Sequence, residues 1–209
     1  MIAILTGDMI DSKRLTFEQR ECFIELTESV SQQLHPISEA KVEIFRGDSF
    51  QMRIGDPIES LRYAVALRSL FREKVFSGEG KQWDVRISLG IGAKGFERDE
   101  LGLSDGEAYR NSGLGLDEMK NTRLNVVFPK KNLNDEFTLL TAFADEIISS
   151  WTIKQSKVIL QKLIWGAPNY EIAEKIDVRR QTVDKLLKSS KIHLIDLYIK
   201  RFQTLIRSL

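Results

Sequence analysis

Apolar residues recur along this chain with two periods, and each change of period marks a new element. Ile2 to Thr6 is a short apolar run of the kind a buried strand makes. From Thr16 to Leu34 the spacing lengthens to three or four. Phe17, Cys22, Phe23, Leu26, Val30 and Leu34 then fall on one helical stripe, which Pro36 ends. Over Val42 to Ile54 the period drops to two. Val42, Ile44 and Arg46 alternate with Glu43 and Phe45, Gly47-Asp48 turns the chain, and Phe50, Met52 and Ile54 share one face of the returning strand. That pattern predicts a hairpin. Asp56-Pro57 opens a helix that carries Leu61, Ala64, Val65, Leu67, Leu70 and Phe71 as far as Val75. After a loop at Ser77-Gly78-Glu79-Gly80, "WDVRISLGIGA" reads as the longest strand, with Val85, Ile87, Leu89 and Ile91 on one side. A helix entered at Ser104 or Asp105, a strand at "RLNVVFP" and a helix from Asn134 to Trp151 follow.

The order β, α, ββ, α, β, α, β, α predicts an α+β fold, a mainly antiparallel sheet with helices on one face. A length of 209 residues has room for two domains, and 42% hydrophobic with 29% charged residues is ordinary globular composition. Every apolar run is broken by charge well short of the ~20 residues that span a membrane, and no basic-then-apolar leader opens the chain. No membrane partner is expected. Cys22 is the only cysteine, which excludes an internal disulfide and fits a reducing cytoplasm. With only His35 and His193 beside it, a zinc site is not expected either.

Charge adds a division that hydropathy alone does not give. Residues 150–209 hold twelve Lys/Arg and five Asp/Glu, a net +7, which leaves −6 on residues 1–149. The change places a domain boundary near Ser149-Ser150, with an α+β domain over 1–149 and a helical domain over 150–209. A basic segment joined to an acidic one suggests a polyanionic partner; Lys-rich helices made soluble by charge are the plainer reading.

Within the basic segment, "TIKQSKVILQKLIWGAPNYEIAEKIDVRRQTVDKLL" has the spacing of a helix-turn-helix. Thr152 caps a helix with Val158, Leu160, Leu163 and Ile164 inward, and Gly166 stops it. A short helix through Ala173 and Ile176 turns at Asp177 into a longer one from about Arg179. Ala173 is small where the helices cross, and Ile172, Ile176, Val178, Val183 and Leu187 fill the wedge between them. The stretch "EIAEKIDVRRQTVDKLL" resembles the helix-turn-helix of bacterial regulators related to sigma-factor and LuxR-type domains. The resemblance implies a DNA-binding transcriptional regulator whose second helix enters the major groove of double-stranded DNA. Arg179, Arg180, Gln181, Asp184, Lys185 and Lys188 are then the exposed candidates, Arg and Gln for base edges and Lys for phosphate. The tail from Lys191 onward carries a stripe of Ile192, Ile195, Tyr198, Ile199, Phe202 and Ile206, which either packs on its own domain or makes a homodimer interface.

Two short stretches, "ILTGDMIDS" and "FRGDSFQMR", each place Gly-Asp after an apolar run. Turn chemistry is one explanation, since Gly and Asp tolerate backbone that other residues avoid. Two carboxylates converging on a divalent cation are the other. Together with "VRISLGIG" and "SDGEAYRNS", these stretches resemble the SatD-type family, whose N-terminal domain is similar to class III nucleotide cyclases, over roughly residues 1–130. The resemblance implies a cyclase-like (ferredoxin-like) sheet. It also implies Mg²⁺ held by Asp8 and Asp48, with Asp11 nearby, and a nucleotide near the backbone of Met9 or Ile10, Arg110 and Asn111. Tyr109 and Gly113 stand where cyclases carry Asn and Arg, which removes charge stabilisation from a phosphoryl transition state and points to binding without turnover. A nucleotidyl-transferring enzyme with a localising or dimerising basic tail is the alternative.

Overall fold

The computed structural model describes residues 1–75 and 82–209, and the expected loop at Ser77-Gly78-Glu79-Gly80 lies outside them. Five strands form one sheet: β1 (Ile2–Met9), β2 (Ala40–Phe45), β3 (Ser49–Ile54), β4 (Val85–Gly92) and β5 (Leu124–Val127), in the order β2-β3-β1-β4-β5. β1 is central and antiparallel to both neighbours, with Leu5 opposite Met52 on β3 and opposite Leu89 on β4. β5 joins β4 in parallel, so the sheet is mainly antiparallel with one parallel pair. Alternation sends Leu5, Phe50, Met52, Ile54, Val85, Ile87 and Leu89 to one face, all of them buried.

That face is covered by α1 (Phe17–Gln33) and α2 (Ser60–Arg72). A capping box between Thr16 and Gln19 starts α1. Its inward stripe is Phe23, Leu26, Thr27 and Val30, while Phe17 and Cys22, expected on the stripe, are exposed. The other face departs from the expectation of helices on one side only. There α3 (Glu107–Asp117) lays Ala108 and Tyr109 on Ile2 and Ile4, and Thr6 and Ser112 share a hydrogen bond of 2.8 Å. The physical reason is the central place of β1 and β4, whose residues are apolar on both faces and need cover on both.

The remaining helices are α4 (Lys131–Ser149), α5 (Ile153–Trp165), α6 (Asn169–Lys175), α7 (Arg180–Ser189) and α8 (Ile192–Ser208). α5 packs against α2, and Arg62 Nε donates to the Leu163 carbonyl at 2.8 Å. Lying between the sheet and the C-terminal helices, α2 buries twelve of its residues and leaves only Arg62 part-exposed. The stripe on α8 is spent within the chain: Phe202 meets Phe128 and Phe137, and Tyr198 shares a 2.6 Å hydrogen bond with Thr141 of α4. One apolar cluster therefore runs from Ala3 to Ile206, across the boundary that charge places at 149/150. No helix among the described residues is long and apolar enough to cross a membrane.

Candidate functional site

The two Gly-Asp pairs have different local causes. Gly7 and Asp8 lie inside β1, where Gly7 pairs with Phe50 and Asp8 with Ser49. A Cβ on Gly7 would stand 2.5 Å from the Phe50 ring and 2.6 Å from the Arg86 carbonyl, so glycine is demanded by packing. Gly47 belongs to the hairpin turn. Arg46 and Gly47 both have positive φ (54° and 73°), as a type I′ turn requires.

The acids also part company. Asp8 sits opposite Arg86 on β4 and accepts from both its Nε, at 2.8 Å, and its Nη2. This hydrogen-bonded carboxylate raises the Arg86 pKa above its ordinary value. Asp48 accepts from Ser12 Oγ at 2.8 Å and Ser49 Oγ at 3.2 Å. Among the described residues no group of three or more His, Cys, Asp or Glu side chains is arranged to hold a metal ion. A guanidinium already occupies both oxygens of Asp8, so the pair as it stands does not fit Mg²⁺, which needs carboxylate oxygens turned toward it at ~2.1 Å. The amides assigned to a nucleotide are committed as well. Met9 N–H donates to the Asp48 carbonyl at 2.9 Å, and Ile10 N–H to the Asp84 carbonyl at 3.1 Å.

Arg110 and Asn111 point apart, as adjacent positions on a helix must. Arg110 is exposed and bound to Asp105 through Nη1 at 2.7 Å and 2.8 Å, while Asn111 Nδ2 donates to the Ile91 carbonyl at 2.8 Å. They do not converge with Asp8 or with each other on one ligand position.

A cluster that the sequence reading missed lies at the same end of the sheet. Arg68, fully buried on α2, donates to Asp84 (3.1 Å and 2.8 Å) and to Asp145 of α4 (2.6 Å). Arg72, one turn on, donates to Asp84 at 2.6 Å and to the carbonyls of Ser149 and Trp151 at 2.8 Å and 2.6 Å. Arg123 reaches Asp84 at 3.2 Å. Burial alone would push the Asp84 pKa up, but the three guanidiniums overcome it and hold it below the usual carboxylate value. Burial lowers the Arg72 pKa, with Arg68 and Arg123 adding to the effect against Asp84. Beside the cluster is a cavity of about 240 Å³ lined by Ile10, Asp11, Arg72, Gln82, Asp84, Arg123 and Ser149. In its lining Arg72 and Arg123 face Asp11 and Asp84, so the charges balance. The sequence signal was "ALRSLFR", two arginines one turn apart inside an otherwise apolar helix, since Arg is almost never fully buried unless paired.

At the other end of the chain, α6 and α7 meet through a turn of defined geometry. Asp177 has φ 54°, Val178 N–H donates to the Ala173 carbonyl at 3.0 Å, and Asp177 N–H to the Glu174 carbonyl at 3.3 Å. These are the two bonds of a Schellman motif, with Asp in the left-handed position where Gly is usual. Ile172, Ala173 and Val183 are buried with Val158 of α5, and Ile176 and Leu187 pack on them. Val178, expected in the wedge, is instead 37% exposed because the turn swings it outward. Arg179, Arg180, Gln181, Lys185 and Lys188 are all exposed. Asp184 is half-buried, accepting from Asn169 Nδ2 of α6 at 2.5 Å through one oxygen while the other stands 3.9 Å from Arg180 Nε on the same surface.

No protein-family model matches the chain, and no curated protein matches it. Among solved structures it is similar to the active GGEEF domain of a diguanylate cyclase from Vibrio cholerae, with 12% identity and a TM-score of 0.42 over 62% of this chain and 83% of that one. This is a distant and partial likeness to a cyclase-like fold. The SatD-type and sigma-factor/LuxR-type resemblances have no counterpart in these comparisons. The fold class of the chain, a mixed sheet with flanking helices followed by a helical C-terminal region, rests on the topology described above.

Proposed function

We propose that the chain is a regulator that binds double-stranded DNA through the exposed side of α7. One observation carries this reading: Arg179, Arg180, Gln181, Lys185 and Lys188 stand together in solvent on a helix that a Schellman turn and a small apolar core fix against α6 and α5. A protruding helix with a basic face matches the width of a major groove and the charge of its phosphate walls. Asp184, bound to Asn169 and 3.9 Å from Arg180, places one negative charge within this face. In this reading a pair of half-sites needs two copies of the chain, and the α+β layer serves as the ligand-sensing part.

A second reading has its own support in the cavity beside Asp84. Its two guanidiniums, Arg72 and Arg123, are donors of the kind that phosphate groups accept from, as a nucleotide-handling enzyme of the cyclase-like kind would need, with Asp11 and Asp84 balancing their charge. Against turnover stand the Asp8–Arg86 pair and the committed amides of Met9 and Ile10. One experiment separates the two. Fluorescence anisotropy of random-sequence duplex DNA is followed across a salt series, with and without ATP or GTP in Mg²⁺ buffer, and the same samples are assayed for pyrophosphate. Salt-sensitive binding without pyrophosphate supports the regulator. Pyrophosphate without DNA binding supports the enzyme.

A further inference from the structure

Two contacts fix how α4 and α8 lie against each other. Glu136 accepts from Arg201 at 2.7 Å and 3.0 Å in solvent, and Thr141 shares its buried hydrogen bond with Tyr198. As α4 advances from 136 to 141, α8 retreats from 201 to 198, so the pair is antiparallel. The inward stripes of both helices are spent in the core. Their outward sides are not. Residues three and four apart share a side of a helix, so the exposed Glu136–Arg201 pair starts one row on each. On α4 the row continues through Leu139 and Phe143 to Glu146. On α8, read backwards, it continues through Leu197 and Leu194 to Lys191, the residue just ahead of the helix. All eight are exposed, the apolar ones to 61%, 65%, 61% and 41% in the order named.

The rows share one plan with opposite charge. On α4 two apolar side chains stand between two acids, and on α8 two stand between two bases. Phe143 and Leu194 are each seven residues from the Glu136–Arg201 pair, and Glu146 and Lys191 are each ten, so matching positions are level. A single exposed leucine needs no explanation, but a seam of four large apolar residues rimmed by charge marks an interaction surface. A different protein would require no match between the two rows. A second copy of this chain does.

We infer that this seam is the interface of a homodimer whose two-fold axis runs parallel to α4 and α8. That axis lays each α4 on the partner's α8 with levels preserved. Glu146 then faces the partner's Lys191, while Leu139 and Phe143 face the partner's Leu197 and Leu194, and every contact occurs twice. A two-fold axis across the helices would set α4 on α4, acid against acid, so charge selects the first arrangement. Two helices of this length side by side present a face of about 25 Å by 20 Å, and burying it on both copies removes roughly 1,000 Å². That is the low end for a specific interface, so the expected dimer is reversible, with a Kd of about 10–100 μM.

The test is sedimentation equilibrium of the full chain, without DNA, from about 1 μM to about 500 μM, a range that brackets such a dimer. Phe143→Lys puts a base against the basic row, and Leu197→Glu puts an acid against the acidic one. Each should weaken the dimer about tenfold or more, whereas Leu114→Lys, an equally exposed leucine on α3, should not. Glu146→Lys alone should weaken it about fivefold, and adding Lys191→Glu should restore it, because the exchange rebuilds the same pairs with reversed sign. A chain that stays monomeric at every concentration overturns the proposal and leaves the seam to a different protein. So does a dimer that ignores Phe143→Lys and Leu197→Glu, or a charge exchange that associates no better than Glu146→Lys alone. The dimer would supply the two copies that paired half-sites need, but it does not rest on the DNA reading. Arg179→Ala with Arg180→Ala should leave it intact, so failure of one reading is distinguishable from failure of the other.

Discussion

Asp8 is the residue on which a metal reading and a structural reading differ most. Its carboxylate is held by two donors of Arg86, so removing its charge leaves a part-buried guanidinium without its partner. Asp8→Asn is expected to lower stability by about 1–2 kcal/mol, the lower end for hydrogen bonds to charged groups because solvent reaches this pair, equally with and without Mg²⁺. Thermal unfolding of both proteins in both buffers checks this. A Mg²⁺-dependent gain in the wild type that Asp8→Asn loses would instead make Asp8 a metal ligand. Asp84 is a more severe case because it is buried beneath three arginines. Asp84→Asn should cost about 3–5 kcal/mol, since Arg68 would remain buried with Asp145 alone and Arg72 would lose its carboxylate partner. The pH sign follows from its depressed pKa. Its stabilising effect is complete above the unfolded carboxylate value of about 3.9 and is lost as pH falls through that value toward the folded one. Denaturant midpoints should therefore fall below about pH 4 in the wild type, and Asp84→Asn should flatten that drop. An equally steep acid limb in the variant would assign acid unfolding to other groups.

Among the elements, α7 and its turn carry the sharpest expectations. Asp177 holds φ 54° at some cost, and glycine has no Cβ to resist it. Asp177→Gly should leave the fold intact and be neutral to about 1 kcal/mol stabilising, read as a small rise in Tm. A marked loss would show that the carboxylate holds the turn in another way. In the DNA reading, Arg179→Ala with Arg180→Ala should weaken duplex binding and lower the salt slope by about 1 for each phosphate contact removed, while Lys200→Ala on α8 changes little. Unchanged affinity in the double variant would remove α7 as the contact surface. These elements were also the most legible in the sequence. Periodicity located the hairpin, the strand β4 and the order of helices, because alternation and three-to-four spacing are local. Gly166 and Asp177 marked helix ends for the same reason. The side chosen by α3, the outward turn of Val178 and the partner of Asp184 were not legible, since each depends on residues far away in sequence. Asp8 and Arg86 stand 78 positions apart, and no local pattern joins them.

For the whole molecule, the charge division and the core disagree about where one unit ends. Charge changes sign near residue 150, but α5 and α8 continue the apolar cluster that begins with Ala3. α2 decides between them. It is buried almost all round, one side by the sheet and the other by the C-terminal helices, so a fragment ending at Ser149 would expose a helix whose outer side is also apolar. The junction is fastened twice more. Arg72 donates to the carbonyls of Ser149 and Trp151, and the buried Trp151 indole donates to the Ser190 carbonyl at 2.8 Å, where α7 ends. Separate expression of 1–149 and 150–209 is therefore expected to give fragments that aggregate or unfold broadly, while the full chain unfolds in one cooperative step. Trp151→Ala in the full chain should cost about 3–5 kcal/mol, as the loss of a fully buried tryptophan does, and should lower the stability of both halves together. Hydrogen exchange resolved along the chain reads this directly. Equal loss of protection in β4 and in α5 marks one cooperative unit. Loss confined to the helices after residue 150, or a 1–149 fragment with a sharp transition of its own, would restore the division that charge suggests.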